Sequence, residues 1–248
     1  MAQVGERAGY GSYGEALGAL REAQKSAKGV SLYSRCVNRP TGRVLAAGAY
    51  RAGLTPNQVT GISAAFSFAG IGALAAFPPS WTLAFAVYAA LVVGFAFDSA
   101  DGQLARLRRE SSVAGEWLDH VVDCGKITAL HAAVLVAFFR FFDLPDPAWL
   151  LLPLGFQFAA VVIFFGGLLT DKLKPGPAPG APRPAPSALR AVVLLPVDYG
   201  VFCAVFLLLG SETAFRTGYA VLAAAHAAFL VAFCVKWFRE LSAPRPPA

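Results

Sequence analysis

The chain has 248 residues, 56% of them apolar and only 15% charged, with a formal net charge of +6. A soluble domain carries about a quarter charged residues, which argues against one large soluble α domain, and the positive balance reads as basic loops at a membrane rather than a nucleic-acid surface. Four scattered cysteines, Cys36, Cys124, Cys203 and Cys234, form no CxxC or Cys/His cluster, so neither zinc nor a disulfide framework is indicated.

In chain order, residues 1–53 read as a basic amphipathic juxtamembrane arm, without the early apolar core of a secretory signal. "YGEALGALREAQKSAKG" and "RPTGRVLAAGAYRAGL" each suit a helix lying in the membrane interface; a solvated arm is the competing reading. Residues 54–240 then supply six apolar stretches of spanning length: 58–77, 80–106, 114–142, 147–170, 189–210 and 214–235. The expected fold is therefore an all-α integral membrane bundle of six transmembrane helices with an N-terminal amphipathic interfacial region. The Pro-rich loop 174–186 reads as a semi-extended connector, and 241–248 as a Pro-rich tail.

Loop charge sets an orientation. Arg7, Arg21, Lys25, Lys28, Arg35, Arg39, Arg43 and Arg51 precede the first span, Arg108 and Arg109 follow the second, and Lys236, Arg239 and Arg245 follow the last. The intervening turns "PPS", "DLPDP" and "GSE" carry no basic residue. With six spans the basic loops share one face, so both termini are expected in the cytoplasm, and the bacterial cytoplasmic membrane is the expected location.

Directly after the eighteen uncharged residues "SWTLAFAVYAALVVGFAF" comes "DSADGQLARLRRESSVAGEWLDHVVD", with aspartates at 98, 101, 119 and 123. Carboxylates at a membrane edge are costly unless paired, wetted or holding a cation. Asp98 and Asp101 are three apart and Asp119 and Asp123 four apart, so each pair shares one face of its helix. The short connection between them predicts antiparallel neighbouring helices, with Ser111 or Ser112 capping the second. Four converging carboxylates repel unless divalent cations sit among them, and all-oxygen ligation selects Mg²⁺ or Mn²⁺, which suits a diphosphate substrate. Gly102, Ala105 and Gly115 leave space beside the aspartates, and Arg106 can reach a phosphate.

The spacing of Asp98, Asp101, Gly102, Ala105, Arg106, Gly115, Asp119 and Asp123 resembles the signature of the CDP-alcohol phosphotransferase family, D-x2-D-G-x2-A-R-x8-G-x3-D-x3-D, at all eight fixed positions. "LTPNQVT" before the first span also looks like a stretch common in these enzymes. The resemblance implies transfer of a substituted phosphate, here phosphatidyl from CDP-diacylglycerol, to an alcohol with release of CMP in phospholipid biosynthesis. It implies two divalent ions held by Asp98, Asp101, Asp119 and Asp123, with Asp123 also the general base on the acceptor hydroxyl. It assigns CDP binding to Asp98, Asp101, Gly102, Ala105, Arg106 and Gly115. It also implies a membrane homodimer, for which Gly70, Gly72, Gly166 and Gly167 permit close packing.

Lys126, Asp198 and Arg190 are candidates for binding a small alcohol or phosphorylated alcohol acceptor. Lys126 shares a face with Asp123, and its alternative role is an ion pair with that residue. Asp198 is an acid inside an apolar stretch, loosened by Pro196 and Gly200. His120, His131 and His226 read as packing residues. Two competing functions are a UbiA-like magnesium-dependent prenyltransferase and a non-enzymatic divalent-cation transporter. The Gly-x2-Ala-Arg element argues against the first, and the clustering of acids at one membrane edge against the second.

Overall fold

The computed structural model describes residues 10–22, 29–174 and 187–242, and every regular element among them is helical. Two short helices come first, α1 (Tyr13–Glu22) and α2 (Arg39–Arg51), with a π-turn over Ser34–Asn38 before the second. The long helices α3 (Pro56–Ala76), α4 (Trp81–Arg108), α5 (Val113–Phe141) and α6 (Leu151–Leu173) follow. Then come the short α7 (Ala188–Val193) and α8 (Tyr199–Val205), and the long α9 (Glu212–Ser242). The Pro-rich connector over 175–186 and the tail from 243 onward lie outside the described residues.

Helix ends fall where side chains satisfy the free backbone groups. Thr55 and Gln58 cap α3 reciprocally, with Pro56 at the first position, where its missing N–H costs nothing. Ser80 caps α4, and Ser112 caps α5 by accepting a 3.0 Å hydrogen bond from the Gly115 N–H. Arg109, in the left-handed region at φ 54°, turns the chain out of α4 into the link 109–112.

Five helical stretches are long and apolar enough to cross a membrane: Pro56–Ala76, Trp81–Arg108, Val113–Phe141, Pro147–Leu173 and Glu212–Ser242. The expected span over 189–210 is instead broken into α7, a 3₁₀ turn at Leu195–Val197, α8 and a second 3₁₀ turn at Phe206–Leu208. Pro196 supplies no N–H and disfavours helix in the residue before it. Asp198 then takes extended backbone and caps α8, its carboxylate accepting from the N–H groups of Gly200 at 2.7 Å and Val201 at 3.4 Å.

α4 and α5, expected as antiparallel neighbours, meet through side chains at the carboxylates. α3 packs along both, while α4 and α5 have few close backbone approaches to each other. Small residues hold α3 onto α4: a Cβ on Gly94 would lie 2.2 Å from Ser67 Oγ, and one on Gly70 would lie 3.0 Å from Ala90. Gly166 and Gly167 likewise face Trp237 of the same chain, so three of the four glycines considered for a dimer already pack internally. The core joins Leu74, Val87 and Leu91 to Leu130, Phe138, Phe156, Phe206 and Tyr219. His131 belongs to it, its Nδ1 hydrogen-bonded to the Tyr219 hydroxyl at 2.6 Å, and His226 Nδ1 meets the Leu222 carbonyl at 2.9 Å.

The arm forms a second apolar cluster. Ala16 and Leu20 of α1 and Ala46 and Ala47 of α2 bury against Ala100, Leu104 and Leu107 of α4. Gln103 Nε2 donates to the Arg39 carbonyl at 3.0 Å, and a Cβ on Gly42 would lie 2.7 Å from the Ser99 side chain. Farther ties fix the helix ends. Lys174, just past the end of α6, pairs with Glu240 in the last turn of α9. At the start of α9, Glu212 Oε2 accepts from the Asp143 N–H at 3.0 Å, and Arg216 donates to the Asp143 carbonyl at 3.3 Å.

Candidate active site

α4 has 28 residues and α5 has 29. Each is thus about 42 Å long against a hydrocarbon core of about 30 Å. The last turns of α4 and the first turns of α5 have length to spare beyond that core; Asp101 and Asp119 fall there, and Asp98 and Asp123 one helical turn deeper. Asp98 of α4 and Asp119 and Asp123 of α5 each offer a carboxylate oxygen, all within 4.8 Å of one another. Three acids from the two helices therefore converge.

Asp101 stands outside that trio. It is buried, and its carboxylate accepts from the Thr60 hydroxyl at 2.6 Å and the Gly102 N–H at 2.5 Å. Lys126, also buried, places its ammonium between Asp98 and Asp123, donating to Asp98, to Asp123 at 3.1 Å and to Ser63 Oγ at 3.0 Å. Ser63 in turn donates to the Gly94 carbonyl at 2.8 Å.

Beside the trio opens a cavity of about 470 Å³, walled by Asn57, Thr60, Asp101, Gly102, Arg106, Gly115 and Asp119. Asp98 and Asp123 lie one helical turn beyond Asp101 and Asp119, farther from the helix ends. The small residues matter here: a Cβ on Gly115 would lie 3.1 Å from Asn57 Oδ1, narrowing the cavity between α3 and α5. Arg106 lines the wall, and its buried Nε has no hydrogen-bond partner. His120, read from the sequence as packing, is also on the wall, 3.8 Å from Glu116.

Of the three acceptor-site candidates, only Lys126 is brought to the carboxylates. The Asp198 carboxylate is engaged elsewhere: it caps α8 and accepts from Ser34 Oγ at 2.6 Å and from Ser31 Oγ, both in the arm. Arg190 is exposed on α7 and does not line the cavity. Asn57, Thr60 and Ser63 join the site from α3, the first two within "LTPNQVT". Their uncharged side chains carry no signal until α3 is docked against α4 and α5.

The residues present fit a hard divalent cation. The converging donors are all carboxylate oxygens, and a cationic group, the Lys126 ammonium, already stands between two of them. The cavity alongside provides room and an arginine for a phosphate-bearing ligand.

Comparison with known proteins agrees. A solved structure of phosphatidylinositol phosphate synthase (PgsA1) from Mycobacterium tuberculosis, with CDP-DAG bound, superposes with a TM-score of 0.55 at 24% sequence identity, covering 86% of this chain and 98% of that one. At that identity the likeness speaks for the fold alone. No curated protein matches the chain. The family profile described as CDP-alcohol phosphatidyltransferase matches residues 53–232, a stretch that contains all eight positions of the aspartate motif. The chain belongs to the CDP-alcohol phosphatidyltransferase family.

Proposed function

We propose that this enzyme transfers the phosphatidyl group of CDP-diacylglycerol to the hydroxyl of a small alcohol or phosphorylated alcohol, releasing CMP, in phospholipid synthesis. The observation that carries the reading is the convergence of Asp98, Asp119 and Asp123 beside a cavity lined by Gly102, Arg106 and Gly115. The similarly folded synthase was solved with CDP-DAG, which supports the same donor class.

Gly102, Ala105 and Gly115 leave the nucleotide space against the backbone, and Arg106 offers its guanidinium to the diphosphate. Asp98, Asp101, Asp119 and Asp123 are the ligands for Mg²⁺ or Mn²⁺. When bound, the cation neutralises charge that grows on the departing CMP. Asp123 takes the proton of the acceptor hydroxyl as that oxygen bonds to the β-phosphorus and the bond from this phosphorus to the CMP oxygen breaks. Asp101, held by Thr60, fixes one wall of the cavity.

The segment 187–211 serves as a sixth, interrupted crossing. The Lys174–Glu240 pair puts the C-terminal ends of α6 and α9 on one side, and the contacts of Glu212 and Arg216 put the start of α9 beside the α5–α6 link. These contacts support a crossing by the segment 187–211. Both termini and the carboxylates then lie at the cytoplasmic face, as basic loops favour. A lipid donor can stay in the bilayer while a polar acceptor arrives from water. Assembly as a homodimer belongs to the same proposal.

The test is incubation of membranes containing the chain with radiolabelled CDP-diacylglycerol and a panel of alcohols and alcohol phosphates. One acceptor is expected to yield a labelled phospholipid together with stoichiometric CMP. Prenyl transfer, or cation flux without CMP release, contradicts the reading.

A further inference from the structure

The arm is fastened to the motif helix on both sides of Arg39. Before it, the Ser31 and Ser34 hydroxyls donate to the buried Asp198 carboxylate. After it, Gly42 lies so close to α4 that a Cβ there would stand 2.7 Å from the Ser99 side chain and 3.0 Å from Gln103 Nε2. At Arg39 itself, the backbone carbonyl accepts from Gln103 Nε2 at 3.0 Å. The start of α2 therefore has one position against α4.

That position brings two cations together. Arg106 comes three residues after Gln103, on the same face of α4. The Arg39 guanidinium is near enough to repel that of Arg106. Both side chains are half-buried, and burial holds the Arg39 guanidinium below its ordinary pKa. Arg106 folds back over Gly102, where a Cβ would lie 3.6 Å from its Nη1, and its buried Nε has no hydrogen-bond partner among the described residues. Asp101 also acts on Arg106, but its carboxylate is engaged by Thr60 and the Gly102 N–H. Like charges withdrawn from water repel more strongly than in solution, and an anion gripped by both removes the conflict.

We propose that Arg39 is a second guanidinium for the donor's diphosphate, carried by the arm to act together with Arg106. This rests on the reading that the cavity takes a CDP-linked lipid. Such a donor carries a negative charge on each of its two phosphates, which matches two guanidiniums. Arg106 lines the cavity beside Gly102 and Ala105, so an anion shared by both arginines lies on the α4 side of that cavity. Arg39 precedes residue 53, where the family match begins, and none of the eight motif positions lies in the arm. The arm is then part of the donor site as well as an interfacial anchor, and it contributes to donor affinity through a residue outside the motif.

The experiment separates donor from acceptor. CMP release by the full chain in detergent micelles is measured with CDP-diacylglycerol varied at saturating acceptor, and then with the acceptor varied at saturating donor. Arg39→Gln is expected to raise KM for CDP-diacylglycerol about tenfold, the size of a hydrogen bond to a charged group, with kcat and the acceptor KM unchanged. The bond to Gln103 uses the Arg39 backbone, so the substitution leaves it in place. Arg39→Lys keeps the charge without the fork and is expected to recover part of the loss; it also serves should Arg39→Gln fail to fold, with a donor KM still above that of the wild type. Arg51→Gln removes the same charge at the far end of α2 and is expected to keep the wild-type donor KM. A donor KM unchanged in folded Arg39 variants, a rise confined to the acceptor KM, or an equal rise in Arg51→Gln overturns the proposal. A wild-type chain that releases no CMP from CDP-diacylglycerol overturns the donor reading itself, and the proposal with it.

Discussion

The Thr60 hydroxyl donates a 2.6 Å hydrogen bond to the Asp101 carboxylate, tying the start of α3 to the aspartate motif on α4. Both groups are buried. Thr60→Val keeps the shape and removes the donor, leaving a buried acceptor short of a partner at a cost of about 1–3 kcal/mol. A loss of stability in that range is expected from denaturation in detergent, and an unchanged midpoint would show that the bond does not hold Asp101.

Asp123 combines ligation with proton removal in the proposed reaction. General-base catalysis contributes about 10²–10⁴ in rate, so Asp123→Asn is expected to lower single-turnover CMP release at saturating donor by at least that factor. Its elution volume on gel filtration is expected to match the wild type. Full activity in a folded variant removes Asp123 as the base.

Arg106 lines the cavity with a buried Nε that has no protein partner. Lysine keeps the charge but loses the fork that grips two phosphate oxygens. Hydrogen bonds to charged groups contribute about 1.5–3 kcal/mol, so Arg106→Lys is expected to reduce kcat/KM for CDP-diacylglycerol by roughly ten- to a hundredfold. Equal kcat/KM for the two proteins places the diphosphate elsewhere.

The legibility of this chain in its sequence follows the range of the interactions. Helical spacing within α4 and within α5 is local: it pairs Asp119 with Asp123, which do converge, but also Asp98 with Asp101, whose carboxylate turns instead to Thr60. Pro196 and Gly200 were visible as weak points in the fifth apolar stretch, yet the break itself depends on Asp198 capping α8 and receiving Ser31 and Ser34 from a segment about 165 residues away. The Lys126–Ser63 bond and the packing of α3 along both α4 and α5 are likewise products of docking. No periodicity in one segment encodes them. Asp198 illustrates the cost of reading an acid in an apolar run alone: its partners were serines in the arm, residues with no charge to advertise them.

The arm meets the broken segment around α8 at Tyr33 and Gly200, where a Cβ on the glycine would lie 1.9 Å from the tyrosine ring. Gly200→Ala is expected to push the ring aside and destabilise the chain by about 1–3 kcal/mol. In the Tyr33→Ala background the same substitution is expected to cost far less, because the clash is gone. Additive losses in the double-mutant cycle contradict this contact.

In the proposed reaction, carboxylates of α4 and α5 hold a divalent cation on which transfer from a CDP-linked lipid depends. The most direct measurement is CMP release by the purified chain from CDP-diacylglycerol with its acceptor, before chelation, after EDTA and after Mg²⁺ or Mn²⁺ is restored. Release that stops with EDTA, returns with the added ion, and stays absent in Asp119→Asn is the predicted result. CMP release that continues unchanged in EDTA, or in a folded Asp119→Asn variant, contradicts it.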